Sequence, residues 1–331
     1  MGVAGARVEP HPAGLPWLRV IWPLPVEPSV SIVVPTRNQA ALLGQLAAGI
    51  LQRTAYANFE LVIVDNASDA PDALALLERL DRDRRVKLLR FPGAFNYSAI
   101  NNHAVAEATG EVIVMLNNDI DVLHGDWLRE MVSHAVRPDV GVVGAKLLYP
   151  DDTVQHAGVV LGVIGPGGGL GVAGHSNLGM GRTDVGYFGH NALTREVSAV
   201  TGACLAVRRE VYLAAGGLDE TNLAVAFNDV DLCLRIAAMG LRNIWTPFAE
   251  LRHLESASRG SDMSGAKAAR FERECSYMRA RWGAVLDEDP FYNPNFSLTS
   301  SDHELAEPRR VRPWEGSPEG GTPLLATTAV K

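Results

Sequence analysis

VIVMLNNDID, residues 112–121, is the stretch on which the reading of this chain turns. Val112–Leu116 is an unbroken apolar run that reads as a buried strand, and two amides and two carboxylates follow at its C-terminal end. Open α/β sheets bind their ligands at the carboxyl ends of the strands. Residues two apart in an extended chain point the same way, so Asn117, Asp119 and Asp121 share a face if the chain stays extended. Hard oxygen donors on one face suit Mg²⁺ or Mn²⁺ held against a diphosphate. Asn and Asp are also ordinary turn residues, and the segment alone is equally compatible with a turn.

The flanking sequence supplies context. Upstream, Val30–Val34, Leu61–Val64 and Val86–Phe91 read as strands, and Ala40–Leu51, Asp72–Leu80 and Tyr97–Ala108 carry helical spacing. Downstream, Trp127–Val136 is helical and stops before Pro138. Strands alternating with short helices predict an α/β fold: one Rossmann-like, mostly parallel sheet with helices on both faces. After residue 140 the pattern loosens. Val142–Leu148 is apolar, Gly162–Gly181 reads as a mobile Gly-rich loop, and Ala203–Val207 and the short Asn243–Trp245 read as strands. Val230–Ala238 and the charged stretch Ala266–Trp282 read as helices. The expected division is a Pro-rich arm over 1–28, a domain over 29–298 with halves 29–140 and 141–298, and a disordered tail over 299–331.

Composition narrows the class. The 331 residues are 47% hydrophobic and 21% charged with a net charge of −8, which suits one large domain and no nucleic-acid partner. No apolar run approaches a membrane span, and the first residues lack a signal-peptide layout, so a cytoplasmic location is expected. Cys204, Cys233 and Cys275 have no metal-site spacing and read as buried thiols.

Polar residues close four successive strands. VVPTRN (Val33–Asn38) ends the first, VDNAS (Val64–Ser68) the second, FNYSAINN (Phe95–Asn102) follows the third, and LNNDID the fourth. A carboxylate such as Asp65 at such a place accepts from a ribose hydroxyl or a base N–H. Strand ends and helix caps are polar anyway, so no single motif is decisive; all four open onto one sheet edge. GxGxxG and GxxxxGK[ST] are absent, which counts against dinucleotide dehydrogenases and P-loop NTPases. In the back half, FNDVDLCLR (Phe227–Arg235) places Asp229 and Asp231 at a helix start, where the macrodipole favours acids and where one of them could serve as a general base. His253, flanked by Glu250 and Glu255, is a borderline ligand that Mn²⁺ accepts beside carboxylates.

These motifs, with TGACLAVRR (Thr201–Arg209), GGLDE (Gly216–Glu220) and LRHLESASRG (Leu251–Gly260), resemble in type and order the inverting glycosyltransferases of family 2, which have the GT-A fold. The likeness runs from about residue 29 to 298 and is strongest to the bacterial, rhamnosyltransferase-like branch that builds O-antigen and other surface polysaccharides. It implies a UDP- or dTDP-linked sugar donor, a glycan or lipid-linked glycan acceptor, Mn²⁺ or Mg²⁺, and peripheral contact with the inner face of the cell membrane. It further implies that Pro35, Thr36, Arg37, Asp65 and Ser68 line the nucleoside pocket and that Asn96 and Asn101 face the donor. Asn117-Asn118-Asp119 stands in the place of the DxD motif, with Asp119 the metal ligand and His253 the late metal or diphosphate ligand. Asp229 matches the base, Asp231 its support or an acceptor contact, and Gly202 lies where the acceptor passes the donor sugar. The chain departs from the pattern at Asn117, at Asn228 where many relatives have Glu, and in lacking QxxRW, of which only Arg281-Trp282 remains. The last departure favours adding one or a few sugars over polymerisation. A nucleotidyltransferase and an inactive sugar-nucleotide-binding module are the competing readings.

Overall fold

The computed structural model describes residues 5–164, 171–254, 265–300, 303–308 and 310. In chain order the strands are β1 (Arg7–Pro10), β2 (Leu18–Ile21), β3 (Val30–Thr36), β4 (Phe59–Asp65), β5 (Val86–Arg90), β6 (Val112–Leu116) and β7 (Ile120–Val122). They continue with β8 (Val140–Leu148), β9 (Val154–His156), β10 (Val159–Leu161), β11 (Ala173–His175), β12 (Arg195–Glu196), β13 (Cys204–Arg208) and β14 (Arg242–His253). The helices are α1 (Ala40–Ala48), α2 (Pro71–Leu80), α3 (Tyr97–Glu107), α4 (Trp127–Ala135), α5 (Arg209–Ala214), α6 (Asn228–Ala238) and α7 (Gly265–Asp287).

Ten strands form one sheet, in the order β12-β14-β8-β13-β6-β3-β4-β5, with β7 added to β14 and β9 to β8. Strands β6, β3, β4 and β5 run parallel, as do β8 and β14, while β13 runs antiparallel between β6 and β8. Alternation along each strand feeds two cores, one per face. Ile32, Val34, Ile63, Val114 and Cys204 pack with Leu43 and Leu46 of α1, Leu76 of α2 and Trp127 of α4. Val33, Val62, Ile113, Met115 and Leu205 pack with Ile100 of α3, Tyr212 of α5, Leu232 of α6 and Met278 of α7. All three cysteines are buried free thiols.

Four expectations change. The short strand expected at Asn243–Trp245 is the twelve-residue β14, because a register shift between Thr246 and Glu250 carries the chain past Pro247 and on to His253. Proline has no N–H for the ladder and is tolerated at such bulges, which hides the strand from a pattern reading. Within the expected loop Gly162–Gly181, Ala173–His175 pairs with Val159–Leu161, and residues 165–170 lie outside the described residues. In the expected tail, the His303 ring stacks on Tyr187 and Ala306 N–H donates to Asn295 O at 2.9 Å; residues 311–331 lie outside the described residues.

The fourth change concerns the arm, whose β1 and β2 form an antiparallel hairpin docked on the domain. The Arg137 guanidinium lies 3.9 Å from the centre of the Trp22 ring, and the Arg19 guanidinium 4.1 Å from that of Phe248. Both contacts hold the arm against the rest of the domain. Arg19 also donates to Glu130 of α4 at 2.7 Å, and Glu130 accepts in addition from Thr246 at 2.8 Å and lies 3.2 Å from His134 Nε2. Burial pushes the Glu130 carboxyl pKa up, but the hydrogen bond and charge of His134, the Arg19 charge and the Thr246 hydroxyl outweigh it and hold it at about 2. A depressed carboxyl contributes stability above its unfolded value and loses it as pH falls through the folded one. Glu130→Gln is therefore expected to cost about 3 kcal/mol near neutral pH. In denaturant melts the gap to wild type should close as pH falls from 4.5 towards about 2; a gap that does not depend on pH would contradict the assignment.

Candidate active site

The LNNDID segment is a turn and a carboxylate site at once. After Leu116, residues Asn118-Asp119 turn the chain into β7, which pairs antiparallel with the end of β14 so that Ile120 faces His253. Leu254 N–H donates to Asp119 O at 2.9 Å, and His253 Nε2 comes to 3.1 Å from Asp119 Oδ1. The turn also removes Asp121 from the face that an extended chain would give it: its carboxylate pairs with Arg53 at 2.6 Å.

Asp119 and His253 are 5% and 6% exposed, and Asp119 Oδ1 makes no hydrogen bond. An orphaned buried carboxylate oxygen is costly unless something positive completes it. Two donors on bonds of about 2.1 Å at right angles lie about 3 Å apart, so the 3.1 Å separation fits neighbouring ligands of one small divalent cation. Among the described residues no group of three His, Cys, Asp or Glu could hold a metal. The fit is thus to an ion with two protein ligands, the rest coming from phosphate and water, as Mg²⁺-type sites allow. Asn117 brings Nδ2 to 3.4 Å from the same imidazole nitrogen and adds no charge.

Asn117, Asn118 and Asp119 open onto a cleft of about 480 Å³, the size of a small-molecule site; His253 meets Asp119 but is not among the lining residues. Pro35, Thr36, Arg37, Asn117, Asn118, Asp119, Gly202 and Asp229 all line it. Asn118 Nδ2 donates to Thr36 Oγ1 at 3.1 Å, tying the ends of β6 and β3 together. Gly202 N–H donates to Asp229 Oδ2 at 2.7 Å, and Tyr97 Oη–H donates to Gly202 O at 3.0 Å. Asn117 N–H donates to Ala203 O at 3.1 Å. The Thr201–Ala203 segment therefore connects the Asp119 side of the cleft to Asp229. Behind it sits His156, whose Nδ1 is 2.7 Å from His175 Nδ1. Burial, with His175, Arg195 and His253 nearby, pushes the His156 pKa well below that of an ordinary imidazole.

Other expected site residues are not among those lining the cleft. Asp65 is fully buried, accepts Ser68 N–H at 3.0 Å and pairs with Arg90. Ser68 Oγ accepts Asn38 N–H at 2.7 Å. Asn96 caps α3 by accepting Ala99 N–H at 2.9 Å, and Asn101 donates to Tyr97 O at 2.8 Å within the helix. Asp231 is fully buried, paired with Arg235 at 2.8 Å and accepting Trp282 Nε1–H at 2.8 Å, where it joins α6 to α7. The cleft also contains Asn66, Tyr97, Lys267 and Arg270, which the sequence reading missed. Tyr97 stands in a quoted motif, next to the Asn96 cap, and was within reach; Lys267 and Arg270 read as the polar face of a helix.

The glycosyl transferase family 2 model matches residues 31–213. The chain belongs to that family. Two family relatives show how far the likeness extends. The chain is 49% identical over 292 residues to the uncharacterised protein y4gI of Sinorhizobium fredii, covering 88% of this chain and 32% of that protein. It is 42% identical over 285 residues to the O-antigen biosynthesis protein RfbC of Myxococcus xanthus, covering 86% of this chain and 21% of that one. The chain thus spans about a third and a fifth of these relatives. Among solved structures it superposes on the mannosyltransferase PcManGT of Pyrobaculum calidifontis in complex with GDP-Man and Mn²⁺, with TM-score 0.53 and 19% identity over 80% of this chain and 79% of the other. It also superposes on GalNAc-T7 with UDP, GalNAc and Mn²⁺, with TM-score 0.57 and 14% identity over 75% of this chain and 48% of that one. Both likenesses show the GT-A fold, the class expected from the sequence.

The geometry generates one binding test. With UDP present, Asp119→Ala is expected to weaken Mn²⁺ binding by about tenfold to a hundredfold, read from the free Mn²⁺ signal in electron paramagnetic resonance. Asp121→Ala should leave the signal unchanged, and equal losses in the two variants would remove the ligand assignment.

Proposed function

We propose that the protein transfers a sugar, with inversion, from a UDP- or dTDP-linked donor to a hydroxyl of a glycan or lipid-linked glycan acceptor, in the synthesis of a bacterial surface polysaccharide. The observation that carries the reading is one cleft lined by both Asp119, which His253 meets at 3.1 Å, and Asp229, joined through Thr201–Ala203. The 42% identity to an O-antigen biosynthesis protein supports the acceptor class, and the nucleotide-sugar and Mn²⁺ complexes of the two structural neighbours support the donor class and the metal. Residues 29–140 would hold the nucleotide and 141–298 the acceptor. No described helix is long and apolar enough to cross a membrane; the proposal places the enzyme in the cytoplasm, peripheral at the inner membrane face.

In this mechanism Asp229 accepts the acceptor hydroxyl proton as that oxygen bonds to the anomeric carbon. The bond from that carbon to the diphosphate breaks in the same displacement, and its electron pair leaves with the nucleoside diphosphate. Gly202 N–H fixes the orientation of the Asp229 carboxylate, and Tyr97 fixes Gly202. Holding the reactants in register supplies much of the rate. Asp119 and His253 would hold a divalent cation, Mn²⁺ or Mg²⁺, which when bound neutralises charge on the leaving diphosphate. Arg37, Lys267 and Arg270 place further positive charge along the cleft.

Family membership sets the nucleotidyltransferase alternative aside. An inactive binding module is separated by assay. With a panel of UDP- and dTDP-sugars, Asp229→Asn is expected to lower kcat by about 10²- to 10⁴-fold while donor affinity holds. The product should be nucleoside diphosphate, not pyrophosphate. Near-wild-type turnover in the variant would end the base assignment; donor binding by the wild type without turnover on any acceptor would favour the inactive module.

A further inference from the structure

The approach to Asp229 holds more buried polar structure than a helix start needs. Phe227, directly before α6, has a left-handed backbone with φ 59° and ψ 9°. That conformation is strained for a residue with a side chain and persists only where its surroundings impose it. Phe227 diverts the chain so that the Val225 and Ala226 amides are served neither by α6 nor by a strand. Both donate to one side chain: Val225 N–H to Glu274 Oε1 at 2.9 Å and Ala226 N–H to Glu274 Oε2 at 3.1 Å.

Glu274 lies on α7 and is 2% exposed, with Arg270 Nε 3.5 Å from its Oε2. A carboxylate so buried loses its hydration, and an apolar side chain would fill the same helix position more cheaply. What an apolar side chain could not do is receive the two amides. The remaining contacts point the same way. Asn228 Nδ2 donates back to Val225 O at 3.0 Å, and the Phe227 ring packs 5.6 Å from Phe271 of α7. Val225, Asn228, Asp229 and Arg270 all line the cleft. One carboxylate thus receives both amides of the backbone that delivers Asp229.

We propose that Glu274 is a positioning residue of the transfer reaction: by clamping the Val225 and Ala226 amides it holds the left-handed turn at Phe227 and keeps the Asp229 carboxylate aimed into the cleft. The role rests on the reading of Asp229 as the base, and the test separates the two. Glu274→Gln keeps the volume but turns an NH₂ towards one of the amides; Glu274→Asp keeps both oxygens and the charge on a shorter stem.

In Glu274→Gln, kcat is expected to fall by about tenfold to a hundredfold, since misplacement of a reacting group carries losses of that size. The affinity for UDP with Mn²⁺, by calorimetry, should change by less than about threefold. Glu274→Asp should retain more of kcat than Glu274→Gln. Hydrogen exchange at Val225 and Ala226 should accelerate by about tenfold or more in Glu274→Gln while β3 stays protected. Turnover within about twofold of wild type, affinity lost in step with kcat, or unchanged exchange at the two amides would each overturn the proposal. If Asp229→Asn keeps its turnover, the base reading falls instead, and the exchange rates alone decide whether Glu274 holds the segment.

Discussion

The pairing of β7 with the last residues of β14 is the constraint on which the site depends. Asp119 and His253 are far apart in sequence, and β13 and β8 lie between β6 and β14 in the sheet. The turn at Asn118-Asp119 leads from β6 into β7, and the register shift in β14 redirects that strand, as bulges do. With Ile120 opposite His253, the backbone ladder fixes what two long-range side chains could not fix alone. The ordering entropy falls on strands that the core already holds rather than on the two side chains themselves. Residues near this crossing can therefore unsettle the Asp119–His253 pair without touching it.

The antiparallel β13 performs the matching task on the Asp229 side of the cleft. It leads in from Thr201–Ala203, and its pairing with both β6 and β8 plants that segment beside the end of β6. From there every link is short-range: Ala203 O to the Asn117 amide, Gly202 N–H to Asp229, Tyr97 Oη–H to Gly202 O. The two sides of the proposed chemistry are joined through backbone, which deforms less than a side-chain bridge. Asn117 brings no charge beside Asp119, and Arg37 and Lys267 line the same cleft.

Legibility followed the range of the forces involved. The parallel strands of the front half announce themselves as apolar runs because both their faces are buried, and β6 spans the residues the sequence suggested. Pro35–Arg37 and Asn117–Asp119 were also legible, since position at a strand end fixes which edge they reach. Position does not say what a polar side chain does there. Asp65 and Asp231 read as site acids from their places at a strand end and a helix start; Arg235 is one turn along the same helix, while Arg90 and Trp282, the other partners that hold them, come from elsewhere in the chain. Arg270 and Glu274 failed in the opposite direction. An i,i+4 charge pair on a helix looks like a solvated face until the Val225 and Ala226 amides arrive from elsewhere.

Gly202 shows how a fixed carboxylate stays usable. Asp229 accepts N–H groups from Gly202 and Val230, one on each oxygen, which leaves about two of its four lone-pair directions open. That is enough to hold its orientation and still leave it able to accept a further donor. A Cβ at residue 202 would stand 3.5 Å from Asp229 Cβ, 3.7 Å from its Oδ2 and 3.3 Å from Tyr97 Oη, tight only against the hydroxyl that donates to Gly202 O. Glycine thus leaves the Tyr97 hydroxyl and the Asp229 carboxylate their places on either side of residue 202.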